Sequence, residues 1–183
     1  MEALGTIFLE ELRYPEAIDT YKRLTVLFPE KVDFVENMAD AHWNLGNMEE
    51  AFMAYEEVLR FDDENAEVLS RLGTIAMELE DYVSAAKYLN HALDCGVPNL
   101  NMYYNLALAY GNMGQFMQAL IALREAQNLS PEDVEINYQM GVAFFELEMY
   151  NDAIENFITY ALKNNEDALV FFLMGQAFME LED

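Results

Sequence analysis

Residues 100–133 read LNMYYNLALAYGNMGQFMQALIALREAQNLSPED, and the order of small and large side chains along this stretch decides the fold. Tyr103, Leu106, Ala107 and Tyr110 recur at the three- and four-residue spacing that lines one face of a helix. The pattern breaks at Gly114-Gln115, where a glycine suits the left-handed end of a helix, and resumes with Ala119, Leu123 and Ala126. Pro131 then closes the stretch. The reading is helix, tight turn, helix, short loop.

The same arrangement returns every 34 residues without an insertion. Stepping from Ala17 gives Ala51, Ala85, Ala119 and Ala153, and stepping from Gly5 gives Ala39, Gly73, Ala107, Gly141 and Gly175. Large residues keep the register in Leu4, Met38, Leu72, Leu106, Met140 and Met174, and in Tyr21, Tyr55, Leu89, Leu123 and Phe157. A further column, Tyr14, Met48, Tyr82, Phe116 and Tyr150, places a bulky group at each hairpin corner. A period of this length signals stacked hairpins, each too small to bury its apolar face alone and completed by its neighbours. Small residues let the helices approach, and large ones fill the space opposite.

The 34-residue length, with a small residue, an aromatic, an alanine and a terminal proline at these spacings, resembles the tetratricopeptide repeat family along the whole chain. His42 departs from the usual aromatic or small residue, and Asp63 and Asn165 stand where proline is common. The resemblance implies an all-α fold, a right-handed α–α superhelix of antiparallel hairpins. One array is expected over 1–183: a partial repeat at 1–31, full repeats at 32–65, 66–99, 100–133 and 134–167, and a single helix at 168–183. That last helix is apolar nearly all round, which predicts that something covers it, as expected of a piece of a longer solenoid.

Composition narrows the function classes. Hydrophobic residues make up 54% and charged residues 23%, which supports a packed core and argues against disorder. No apolar run is long enough for a membrane helix, and the start lacks the basic and apolar segments of a secretory signal, so a cytoplasmic location is the default expectation. Lys and Arg total 9 against 34 Asp and Glu, for a formal charge of −25. Such a field repels nucleic-acid phosphates and anionic membranes and favours basic partners.

Nothing in the sequence points to catalysis, a metal or a cofactor. Cys95 is the single cysteine, and His42 and His91 lack the spaced ligands of a zinc site. His42 falls in a packed column and His91 on an outer surface. Acidic pairs such as Glu49-Glu50 and Asp62-Asp63 sit where carboxylates complement helix starts or keep a surface soluble, without calcium-loop spacing. Phosphate loops and nucleophilic serine motifs are absent. Met38, Met140 and Met174 read as core, whereas Met77 and Met179 fall on the opposite helix face, where thioethers adapt to a ligand.

The family resemblance implies that the first helices of successive repeats line a concave surface that takes extended peptides or partner helices. On that surface the expected contacts are Asn37, Asp40, Arg71 and Thr74, then Tyr104, Asn105, Leu108, Tyr138, Gln139, Val142, Phe145 and Phe172. The first four lie among carboxylates, and the rest form an apolar and aromatic lining with amides that can serve a peptide backbone. One subgroup of the family grips C-terminal carboxylates with cationic and amide side chains. Here Asn37 and Arg71 match that clamp, but Glu2, Thr6 and Glu67 replace its remaining donors, so a carboxylate clamp is rejected. Arg71, the one basic residue expected on a first helix, is read as a local ion pair with Glu67, Glu36 or Asp40 ahead of direct ligand contact.

The expected function is therefore a binding scaffold for a protein or peptide, its basic part facing Asp33 to Glu78 and its apolar part facing Tyr104 to Phe172. Two alternatives stand beside it: a segment that self-associates as a homodimer through the apolar last helix, and a chaperone of the secretion type.

Overall fold

A computed structural model of the chain describes residues 1–182. Residue 183, which the repeat reading assigns to the final helix, lies outside them. The described residues form helices joined by short turns, with no strand among them. In chain order these are α1 (Glu2–Glu10), α2 (Tyr14–Leu27), α3 (Val32–Leu45), α4 (Met48–Leu59), α5 (Ala66–Glu78), α6 (Tyr82–Cys95), α7 (Leu100–Asn112), α8 (Phe116–Leu129), α9 (Val134–Glu146), α10 (Tyr150–Ala161) and α11 (Ala168–Glu182). Two compact units divide the chain, the first Met1–Val97 and the second beginning at Pro98.

Within the first unit, α1 to α6 pack each against the next, and the interlock of small and large residues is explicit. Tyr21 and Leu89 are buried beneath Gly5 and Gly73, and in the hairpin between them Tyr55 and Ala39 are both fully buried. A Cβ built on Gly73 would lie 2.5 Å from Leu89 Cγ, and one on Gly5 would lie 2.8 Å from Tyr21 Cζ. Ala17, Tyr21, Leu24, Phe34 and Ala41 form one buried cluster, with Phe8, Tyr14 and Met38 packed onto it.

The second unit repeats the interlock in α7 to α11. Ala107 and Leu123 are both buried, and a Cβ on Gly141 would stand 2.6 Å from the Phe157 ring. The register weakens at both ends of the described chain. Leu4 is 46% exposed and Gly175 has nothing within 4 Å of its would-be Cβ, although both belong to columns that are otherwise mostly buried. The reason is local: α1 packs chiefly on α2 and α11 chiefly on α10, so these columns meet little on their other side.

Every hairpin corner uses the same backbone. Leu12, Gly46, Glu80, Gly114 and Glu148 all have positive φ, between 57° and 83°, and they stand 34 residues apart. Glycine adopts this conformation without cost, while the three side-chain-bearing residues each take on about 1–2 kcal/mol of steric strain. The corner geometry is thus imposed by packing and only eased by glycine. At the starts of α5, α6, α7 and α9, Asn65, Asp81, Asn99 and Asp133 accept a hydrogen bond from a first-turn N–H at 3.0–3.1 Å. Those caps satisfy donors that the helix cannot pair internally.

Two basic residues lie just beyond the second helices of their hairpins. Arg60 caps α4, and Lys163 follows α10, where its Nζ donates to the Glu132 carbonyl at 2.8 Å.

Candidate partner-binding faces

In the first unit the acidic first-helix face is organised around Arg71. The α5 helix carries this guanidinium toward α3 and α4, where Nη1 pairs with Asp40 Oδ1 and donates to the Tyr55 hydroxyl at 2.9 Å. Nη2 pairs with Glu67 one turn back at 2.6 Å. The guanidinium also lies over the rings of Trp43 at 5.2 Å and Tyr55 at 5.8 Å, so it is held by charge and by π faces together. Tyr55 in turn donates to Asp40. Burial, and then that hydrogen bond to a carboxylate, push the Tyr55 phenol well above its ordinary value.

Arg71 thus takes up Asp40 and Glu67, two of the three partners read from the sequence. The third, Glu36, sits near them with its carboxyl raised by partial burial and by repulsion from Asp40 and Glu67. Asn37 donates its amide to the Asp33 carbonyl at 2.7 Å, and Thr74 donates to the Ser70 carbonyl at 3.1 Å. Each of these side chains is drawn along its own helix, which limits its reach toward a ligand. His42 is half-buried beside Asn47, 3.3 Å from the amide nitrogen, and burial lowers its imidazole below the ordinary value.

The second unit offers a different surface. Here α7 and α9 approach one another, and with the first half of α8 they frame a half-open cavity of about 230 Å³. Ala107, Leu108, Gly111 and Asn112 come from α7, Phe116, Ala119 and Leu123 from α8, and Gln139, Val142 and Ala143 from α9. Three residues singled out from the sequence, Leu108, Gln139 and Val142, converge on it. Tyr104 lies alongside: its half-buried phenol is pushed up by burial, and a hydrogen bond from Gln139 opposes the shift.

The remaining predicted residues are placed apart from the cavity lining. Tyr138 packs at a tilt against Phe157 and Tyr160, with centroids 6.2 and 5.0 Å away, and so ties α9 to α10. Phe145 meets Tyr150 edge-on at 5.6 Å. Asn105 is half-buried on α7, and Phe172 on α11 is 61% exposed. Sequence reading missed Gly111, Phe116 and Ala119 as cavity residues. A signal for the first was present: its column reads Leu9, Trp43, Met77, Gly111, Phe145 and Met179, large everywhere else.

Among the described residues no group of three or more His, Cys, Asp or Glu is arranged to hold a metal, and no helix is long and apolar enough to cross a membrane.

Family models described as tetratricopeptide repeat match residues 2–66 and 100–133, together more than half of the chain. The chain belongs to the tetratricopeptide repeat family. Among tetratricopeptide relatives it is similar to BBSome complex member BBS4 of Bos taurus, 24% identical over 161 residues, which is 87% of this chain and 30% of that protein. It is also similar to tetratricopeptide repeat protein 8 of Caenorhabditis elegans, 26% identical over 143 residues, or 77% of this chain and 28% of that protein. The chain therefore spans less than a third of the length of these two relatives. Among solved structures, a MamA structure aligns with a TM-score of 0.82 at 18% identity, over 93% of each chain. YrrB, described as a tetratricopeptide protein with an unusual peptide-binding site, aligns at 0.79 and 22% identity, over 91% of this chain and 86% of that one. At these identities the likeness carries the all-α hairpin fold, in agreement with the reading from the 34-residue register.

Proposed function

We propose that this chain is a non-enzymatic protein-interaction module whose first-helix faces receive a peptide or helix of a partner protein. The observation that carries the reading is the cavity between α7 and α9, lined by apolar groups with Gln139 and Asn112 as its polar members. An apolar recess with a few convergent polar groups is the usual form of a recognition site. The carboxylates around Arg71, and a net charge of −25, favour a cationic partner segment on the face of the first unit. YrrB, described as having an unusual peptide-binding site, supports peptide binding as a use of this fold.

The test places cations on the face of the second unit. Leu108 and Val142 are half-buried, so Leu108→Lys with Val142→Lys leaves the packed columns untouched. Affinity capture of partners from native extract at moderate salt should fall at least about tenfold, with the helical circular-dichroism melt preserved, because a tenfold loss needs only about 1.4 kcal/mol. Undiminished capture would remove this face from the binding site.

A second reading rests on α11, where Leu169, Phe172, Phe178 and Met179 are all more than half exposed. Contiguous apolar surface of this kind is commonly covered by another helix. If a second copy covers it, the chain sediments as a dimer that Phe172→Glu with Phe178→Glu dissociates. A monodisperse monomer at high micromolar concentration would leave the first reading alone.

A further inference from the structure

We infer that the cavity at Gly111 is a receptor for one phenyl-sized side chain supplied by the partner. The inference rests on the peptide-binding reading above and specifies what the bound segment must carry.

Two hairpins of the same unit differ in what meets the corner ring. In the α9–α10 hairpin, Phe145 reaches the corner residue Tyr150 and packs edge-on against it, centroids 5.6 Å apart. One repeat earlier, 34 residues back, the corresponding positions are Gly111 and Phe116. The corner ring is kept and its partner is missing. A Cβ built on Gly111 would meet nothing within 4 Å, unlike those on Gly73 and Gly141, which would collide with the next helix. Gly111 is therefore not a close-approach glycine. It leaves open the volume that Phe145 fills in the next hairpin, and the cavity lies there, against Phe116, Leu108 and Val142.

Size and chemistry select the occupant. An apolar cavity of about 150 Å³ is enough to take up benzene, so roughly 230 Å³ accommodates a benzyl group with room for its entry path. Phe116 is half-buried and offers an incoming ring the same edge or face that Tyr150 offers Phe145, in the arrangement aromatic pairs prefer. Asn112, exposed beside the cavity, commits one amide N–H to the Leu108 carbonyl at 2.9 Å, which holds it along α7 and leaves its oxygen for a ligand backbone N–H. Beyond residue 98 the only Lys or Arg side chains are Arg124 and Lys163 among many carboxylates, so the segment bearing the ring is cationic.

Two synthetic probes test this with the 183-residue chain: Lys-Lys-Ser-Ser-X-Ser-Ser-Lys-Lys with X as Phe or as Ala. The Phe peptide should bind about tenfold more tightly than the Ala peptide, the factor expected from burying most of one aromatic side chain. Gly111→Ala should keep that ratio, since a methyl group leaves most of the cavity open. Gly111→Phe, which restores the ring found in the next hairpin, should bring the ratio to about one with the Ala peptide unaffected. A ratio near one in the unaltered chain, or one that survives Gly111→Phe, overturns the inference. Equal binding of both peptides would still leave the broader peptide-binding reading in place, whereas binding of neither would remove both. Should Gly111→Phe fail to fold, titration of toluene into the ¹⁵N-labelled unaltered chain decides. Saturable shifts at the Gly111 and Val142 amides support the receptor, and their absence sinks it.

Discussion

Gly141→Leu should lower the stability of the chain by about 3 kcal/mol, seen as a drop of several degrees in the thermal melt followed by circular dichroism. The Cβ alone would stand 2.6 Å from Cδ1 and Cε1 of Phe157, and that ring is fully buried, so it cannot swing into solvent. Overpacking of this type costs about 1–3 kcal/mol, and a leucine adds three further carbons to the clash. Replacing a helical glycine returns up to about 1 kcal/mol of helix propensity, too little to reverse the sign. The repeat itself supplies a control. In the preceding hairpin the same two positions are Ala107 and Leu123, both buried. Gly141→Ala with Phe157→Leu recreates that pair, so the double variant should be more stable than the sum of its single changes predicts. Strict additivity would show that the two columns do not interlock.

Arg71→Met should destabilise the first unit by about 2 kcal/mol at pH 7, and part of that loss should return on acidification. Breaking a buried ion pair costs about 3–5 kcal/mol, and we scale this down because the Arg71 side chain is 24% exposed. Methionine keeps most of the apolar stem over Trp43 and Tyr55, so the change isolates the charge and its hydrogen bonds. Without the guanidinium, Glu36, Asp40 and Glu67 face one another with no cation among them.

The sign follows from Glu36. Its folded-state carboxyl is already raised by burial, then by Asp40 and Glu67, and Arg71 is the group that opposes the rise. Removing Arg71 raises it further. A carboxyl raised by folding favours the protonated form, so its contribution is present below the unfolded value and is lost as pH rises through the folded one. The gap between Arg71→Met and the unaltered chain, measured by urea denaturation, should therefore narrow between pH 7 and pH 5. Arg71→Met with Asp40→Asn should recover stability at pH 7, whereas a pH-independent gap would show that the cost lies in packing and not in charge. Arg71→Lys should fall in between, keeping the charge but losing the planar fork that reaches Asp40, Tyr55 and Glu67 together.

Much of this molecule is legible in the order of its residues because the 34-residue register is a packing rule written along the chain. Gly5, Gly73 and Gly141 are small where Tyr21, Leu89 and Phe157 are large, and the chain brings such partners together by folding one helix back against the next. The all-α class and the hairpin corner at Gly114 follow from that local arithmetic, and the pairing of Arg71 with Glu67 one turn back is likewise local. Tertiary structure decided what depends on neighbours far apart in sequence. It alone sets the positive φ of Leu12, Glu80 and Glu148, whose side chains oppose it, and it turns Tyr138 onto Phe157 and Tyr160. It also separates glycines that look alike, since Gly141 is crowded by a ring while Gly111 opens a cavity. The physical reason is that a side chain's size belongs to the residue, whereas the space available to it belongs to the helices that close around it.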